Sequence, residues 1–134
     1  MKLGRVLVIE DDPDVASVLE LTLRRMGASE VTVAPDGNEG LERARAERWD
    51  LMLVDLLLPG KDGFDLVLDF QSWRKALGSD APSPTIVFVT SAARTVGAEL
   101  VGRSGAHGLI TKPFTMAGLA QRLESIIAAR SVRA

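Results

Sequence analysis

Six residues of this chain have side chains suited to chemistry and share one kind of position, the end of a short apolar run: Asp11, Asp12, Asp55, Thr90, Ser91 and Lys112. Asp11 and Asp12 follow the run Val6 to Ile9, and Asp55 closes Leu51-Met52-Leu53-Val54. Thr90 and Ser91 end the run from Ile86, and Lys112 follows Gly108 to Thr111. Adjacent carboxylates repel one another, and a single acid is enough to cap a helix. Two of them facing a third read as a hard-oxygen site suited to magnesium, which takes one or two carboxylates and keeps several waters. Three ionised aspartates against one protonated lysine leave two negative charges, which one divalent cation balances. An anion with oxygens to share among metal, lysine and hydroxyl is most naturally a phosphoryl group. Taken singly, each residue has a plainer reading: Asp12 before Pro13 suits an N-cap, Thr90 could finish a strand, and Lys112 could be a surface lysine. Glu10 is read as flank.

Such a set needs elements that bring the run ends together. Short β-branched runs alternate with longer amphipathic segments, which indicates an α/β fold. Five strands are predicted at Arg5 to Ile9, Glu30 to Ala34, Leu51 to Asp55, Thr85 to Thr90 and Gly108 to Thr111. Val15, Val18, Leu19 and Met26 fall on one helical face, as do Leu66, Val67, Phe70 and Leu77, and then Met116, Leu119, Leu123, Ile126 and Ile127. Asp12-Pro13 marks the start of the first helix and Gly27 its end. Helix two, near Asn38 to Glu47, and helix four, near Ala93 to Arg103, carry Gly40, Gly97 and Gly102, each of which weakens a helix by about 1 kcal/mol relative to alanine. Gly78 to Pro84 reads as a surface loop. Strands one, three and four read as buried on both faces, whereas strand two alternates and strand five is short, as edges are. The pattern predicts a parallel sheet with right-handed crossovers, whose binding groups collect at the carboxyl ends of the strands.

At 134 residues, 46% of them apolar, the chain has the length of one ordinary domain. No apolar stretch is long enough to span a membrane, and Met1 to Arg5 lacks the core of a secretory signal, so the cytoplasm is expected. The absence of cysteine excludes disulfides and thiolate chemistry, and the single His107 cannot build an imidazole-rich zinc site. A formal charge of −2 with no basic run gives no direct nucleic-acid surface.

From Arg5 to about Ile127 the chain resembles the receiver domain of two-component response regulators. The residues that carry the resemblance are Asp11/Asp12, the Asp-x-x-x-Pro-Gly-x-Asp-Gly segment from Asp55 to Gly63, Thr90, and Lys112-Pro113-Phe114, in the family's order. It implies a flavodoxin-like, doubly wound (βα)5 fold with a parallel sheet of order 2-1-3-4-5, forming one receiver domain over 1–134 with no output domain in this chain. Asp55 would accept a phosphoryl group from a sensor histidine kinase or a histidine phosphotransfer protein. The cofactor would be Mg2+ (or Mn2+), held by Asp12, Asp55 and the backbone carbonyl of Leu57, with Asp11 acting largely through water. Lys112 would bind a phosphoryl oxygen as a point charge, and the Thr90 hydroxyl would close on the phosphorylated state with Ser91 beside it. The domain thus catalyses its own modification without being a conventional enzyme.

The implied output is a population shift that alters the face of helix four, strand five and helix five. A downstream effector, an output domain on another chain, or a second copy in a homodimer would read that face. Leu109 stands where the family usually has tyrosine or phenylalanine, so the aromatic rotamer switch is absent. Leu57 and Ala92 border the path of attacking water and cannot position it, which implies slow loss of the phosphoryl group. The Lys112-Pro113 bond is implied to be cis. His107 is read as a turn residue, and Trp49 and Trp73 as packing residues. A haloacid-dehalogenase-like phosphohydrolase would need an acid at Leu57, and a nucleotide or flavin binder would need a Gly/Ser/Thr loop where the acids stand. The remaining rival is a pseudo-receiver that binds partners without being phosphorylated.

Overall fold

The computed structural model describes residues 3–78, 82–91 and 94–133. Strand and helix alternate along the chain: β1 (Gly4–Ile9), α1 (Pro13–Arg25), β2 (Ala28–Ala34), α2 (Gly37–Ala46), β3 (Leu51–Val54), α3 (Gly63–Leu77), β4 (Thr85–Thr90), α4 (Arg94–Ser104), β5 (Gly108–Thr111) and α5 (Met116–Arg133). The five strands are parallel, in the order β2-β1-β3-β4-β5. The doubly wound sheet inferred from the sequence is the one observed.

Side chains alternate across a strand, and both faces of this sheet are covered. Val6, Val8, Leu53, Val87 and Val89 point to one side, where Leu19 and Leu23 of α1 meet Leu119, Leu123 and Ile126 of α5. Leu7, Ile9, Met52, Val54, Ile86 and Phe88 point to the other, against Leu41 of α2 and Leu66 and Phe70 of α3. Burying such a side chain contributes about 1.5–3 kcal/mol relative to leaving it exposed. Two faces of such contacts explain why the central strands read as unbroken apolar runs. They also hold the strand ends, and whatever follows them, in fixed relative positions.

The element boundaries follow local chemistry. Gly27 adopts φ 97° and donates its N–H to Arg24 O at 3.1 Å, closing α1 in a conformation that suits glycine. β2 then starts at Ala28, two residues before the alternating pattern suggests, because the turn delivers the chain directly into the ladder. β3 stops at Val54, although the Asp55 N–H still donates to Ile9 O at 3.0 Å. In the loop between α3 and β4, residues 79–81 lie outside the described residues. Beyond it, Arg130 of α5 donates to Ser83 O at 2.7 Å and to Thr85 Oγ1 at 2.8 Å, tying the last helix to the start of β4. His107 frames the start of β5: its N–H donates to Ile86 O at 2.7 Å and its Nδ1 accepts from Ile86 N at 3.0 Å. Trp49 is buried, with Nε1 donating to Arg43 O at 3.0 Å, and Trp73 stacks on Phe70 at 5.9 Å, so both are packing residues as read from the sequence. No helix among the described residues is long and apolar enough to cross a membrane.

Candidate functional site

The register sets the site. Ile9 pairs with Val54, so the next residues, Glu10 and Asp55, leave the sheet level with each other. Thr90 pairs with Thr111, and Lys112 follows at once, its N–H donating to Thr90 O at 2.9 Å. Four strand ends therefore deliver Glu10, Asp55, Thr90 and Lys112 to one edge. Asp55 is 5% exposed, Glu10 2% and Thr90 fully buried.

Lys112 joins the two buried acids. Its Nζ donates to Asp55 Oδ2 at 2.8 Å and lies 2.7 Å from Glu10 Oε1. The second contact is a close ion pair, so the lysine is the partner of the buried Glu10 Oε1. Asp55 Oδ1 accepts from Leu57 N at 3.0 Å. Burial pushes the Glu10 carboxyl above its usual range, partly offset by Lys112. Burial works against the charge on Lys112, but its bonds to Asp55 and Glu10 outweigh this, and its pKa lies above the ordinary lysine value. The strand-end acids thus hold the lysine charged, and the lysine makes two buried carboxylates tolerable.

One sequence assignment is corrected here. The three acids close enough to share a cation are Glu10, Asp11 and Asp55, with ligand oxygens all within 4.8 Å of one another. Asp12 is not among them. Its Oδ1 turns the other way and accepts from Asp14 N at 2.9 Å and Val15 N at 3.4 Å, capping α1, while its own N–H donates to Glu10 Oε2 at 3.1 Å. The acidic pair is therefore one residue earlier than the sequence assigns it, and Glu10 is an integral member rather than flank. A signal for this exists in the sequence. Asp55 is the first polar residue after four apolar ones, and so is Glu10. Asp12, by contrast, precedes Pro13 and carries the ordinary mark of a cap.

The remaining residues fall at the rim. The Lys112-Pro113 peptide bond is cis. Ser91 is exposed and lines an open groove of about 460 Å³ with Asp14, Val15, Val18, Lys112 and Phe114, and Phe114 also packs on the core beneath α1 and α5. Leu57 is 64% exposed, an apolar side chain standing free beside Asp55. Leu109 is half-buried and packs on the same side of the core as Leu100 and Val101 of α4. Ala92 lies outside the described residues.

Buried carboxylates level with one another and a lysine reaching across from the fifth strand form a centre for holding a cation and a phosphoryl-like anion together. The chain belongs to the family of response regulator receiver domains, whose model matches residues 6–124. It is a signalling domain of two-component systems.

Among curated proteins it is 36% identical over 121 residues to the DNA-binding response regulator MtrA of Mycolicibacterium smegmatis, covering 90% of this chain and 49% of that protein. It is 34% identical over 122 residues to the transcriptional regulatory protein CseB of Streptomyces coelicolor, covering 91% and 48% respectively. The chain thus spans about half the length of these relatives. Among solved structures, the chemotaxis response regulator CheY4 of Vibrio cholerae matches with a TM-score of 0.76 and 28% identity, covering 93% of this chain and 99% of that one. A CheY-like receiver domain from Methanospirillum hungatei has the same fold, with a TM-score of 0.81 at 23% identity over 99% of this chain and all of that one.

Proposed function

We propose that Asp55 accepts a phosphoryl group from a phosphohistidine of a sensor histidine kinase or histidine phosphotransfer protein, in a reaction that needs a divalent cation. The observation that carries this is the Asp55 carboxylate itself, buried, held by Lys112, and grouped with Glu10 and Asp11. A carboxylate oxygen of Asp55 attacks phosphorus as the P–N bond to the donor breaks. The electron pair goes to the imidazole nitrogen, which then takes up a proton. Lys112 neutralises a phosphoryl oxygen as the two anions close, and the Thr90 hydroxyl is placed at the end of β4 to receive another.

The residues fit Mg2+ or Mn2+: three hard carboxylates converge, with ligand oxygens all within 4.8 Å of one another. Asp11, Asp55 and the Leu57 carbonyl would hold the ion, with Glu10 completing the set; Asp12 is already spent on α1. When bound, the ion supplies positive charge that offsets the charge of the incoming phosphoryl group. The complete acid, threonine and lysine set favours this reading over a pseudo-receiver.

The downstream partner reads the face of α4, β5 and α5. With Leu109 on the same side of the core as Leu100 and Val101 of α4, the shift passes through aliphatic contacts rather than an aromatic ring. The same face would serve a homodimer. MtrA and CseB are named as a DNA-binding and a transcriptional regulator and are about twice as long, which supports a cytoplasmic transcriptional output reached through another segment or chain.

Labelled phosphoryl from a phosphorylated histidine donor is expected to enter the protein in magnesium, to fail to enter after chelation, and to be released by hydroxylamine as acyl phosphates are. A hydroxylamine-stable label would place the modification elsewhere. The exposed, apolar Leu57 offers attacking water no hydrogen bond, so the acyl phosphate is expected to persist for minutes or longer, and Leu57→Asn to shorten its lifetime. Loss from the wild type within seconds in the absence of partners would contradict that.

A further inference from the structure

Two helix starts meet the loop that carries Asp55, and both read Asp-Gly. α2 opens with Asp36 and Gly37, α3 with Asp62 and Gly63, and each aspartate caps its helix, accepting from Glu39 N and Asp65 N respectively at 2.8 Å. The first N–H groups of a helix have no partner inside it. Here the loop uses them. Gly63 N donates to Leu56 O at 2.9 Å, and Gly37 N donates to Pro59 O at 3.2 Å. The two gripped carbonyls bracket Leu57 and Leu58.

Neither glycine has positive φ, so backbone conformation does not require glycine at either place. Alanine would be the better helix former. What requires glycine is close approach: a Cβ on Gly37 would overlap the Lys61 carbonyl oxygen, and one on Gly63 the Asp55 carbonyl oxygen. Both obstacles are backbone and cannot swing aside. The Asn38 side chain, next along α2, lies against Gly60 and extends the same contact.

We infer that Gly37 and Gly63 are positioning residues that clamp the phosphoacceptor loop at its Leu56 and Pro59 carbonyls, fixing the Leu57 carbonyl and the Asp55 carboxylate in the arrangement that metal and phosphoryl group require. The inference rests on the metal-dependent phosphoacceptor reading. Gly37 carries it furthest, because α2 contributes no other group to the site. Through this contact a helix remote from the chemistry becomes part of its scaffold, and a displacement of α2 is transmitted to Leu57.

The test compares Gly37→Ala with Gly102→Ala, a control in α4 whose added Cβ would meet nothing within 4 Å. Mg2+ affinity and the maximal rate of phosphoryl uptake from a small phosphodonor are measured on full-length proteins, at a temperature where circular dichroism shows all of them folded. Gly37→Ala is expected to weaken Mg2+ binding by about tenfold and to lower the maximal rate, as loss of a supporting contact behind a ligand does, while Gly102→Ala matches the wild type. A purely structural glycine would lower the melting temperature and leave both quantities alone; a folded Gly37→Ala within about threefold of wild type in Mg2+ affinity overturns the inference. Should Gly37→Ala not fold, amide exchange at Gly37 in the wild type decides. By linkage, saturating Mg2+ is expected to slow that exchange, and unchanged protection overturns the clamp. A wild type that binds Mg2+ but takes up no phosphoryl group defeats the phosphoacceptor reading instead, and the affinity comparison still decides the clamp.

Discussion

Replacing Lys112 with methionine is expected to slow phosphoryl uptake at saturating magnesium by about a hundredfold or more, and to destabilise the metal-free protein by about 2–3 kcal/mol. The kinetic effect follows from position. Lys112 reaches Asp55 from the fifth strand, where the phosphoryl oxygens arrive, and removing a preorganised charge from such a place is costly. The stability effect follows from burial. Glu10 and Asp55 side chains are 1% and 5% exposed, and among the described residues Lys112 is the cation paired with both. The cost falls below that of a wholly enclosed pair, because the lysine side chain is 18% exposed and Glu10 can take up a proton.

That escape makes the effect depend on pH. The Lys112 pKa is raised, so its contribution is fully present below the ordinary value of 10.5 and is lost as pH rises through the higher folded value. The Glu10 pKa is also raised, so the metal-free fold loses stability as pH climbs from the ordinary 4.5 toward the folded value. Methionine removes the partner that holds the Glu10 pKa down, so the variant keeps that proton to higher pH. Its deficit, read from urea midpoints, is expected to be smaller at about pH 5 than at about pH 7.5. Magnesium should recover part of the loss by binding only the folded state. A pH-independent deficit would mean that Lys112 does not neutralise Glu10.

The second large effect separates two neighbouring aspartates. Asp11→Asn is expected to weaken Mg2+ binding by about tenfold or more, since it removes charge from a three-carboxylate site, with little change in metal-free stability. Asp12→Ala is expected to do the reverse, costing about 1 kcal/mol through the lost cap of α1 and leaving Mg2+ affinity within about twofold. Calorimetric titration and thermal melts on the two variants read both quantities. The opposite pattern would return the acidic pair to Asp11 and Asp12.

The fold was legible because its elements obey local rules without conflict. Unbroken apolar runs at Leu51 to Val54 and Ile86 to Val89 mark strands covered on both faces, and Asp12-Pro13 and Gly27 delimit α1. Asp55, Thr90 and Lys112 were legible for a related reason: each stands at the end of such a run, and parallel strands place their carboxyl ends together.

The acidic pair was misplaced by one residue because composition alone does not say which of three consecutive acids turns back to cap a helix. The register does, by setting Glu10 level with Asp55. Gly37 escaped notice for a different cause, and Gly63, though it ends the Asp55 to Gly63 segment, was given no role of its own. A glycine at the first helical position looks unremarkable in sequence, and its purpose becomes visible only when the Lys61 and Asp55 carbonyls are found where a Cβ would be.

The most direct measurement is the intact mass of wild type and Asp55→Asn after incubation with a small phosphodonor, with and without Mg2+. Wild type is expected to gain the mass of one phosphoryl group in Mg2+ and none in chelator, and Asp55→Asn to gain none in either. An unmodified wild type in Mg2+, or equal modification of Asp55→Asn, would contradict the account.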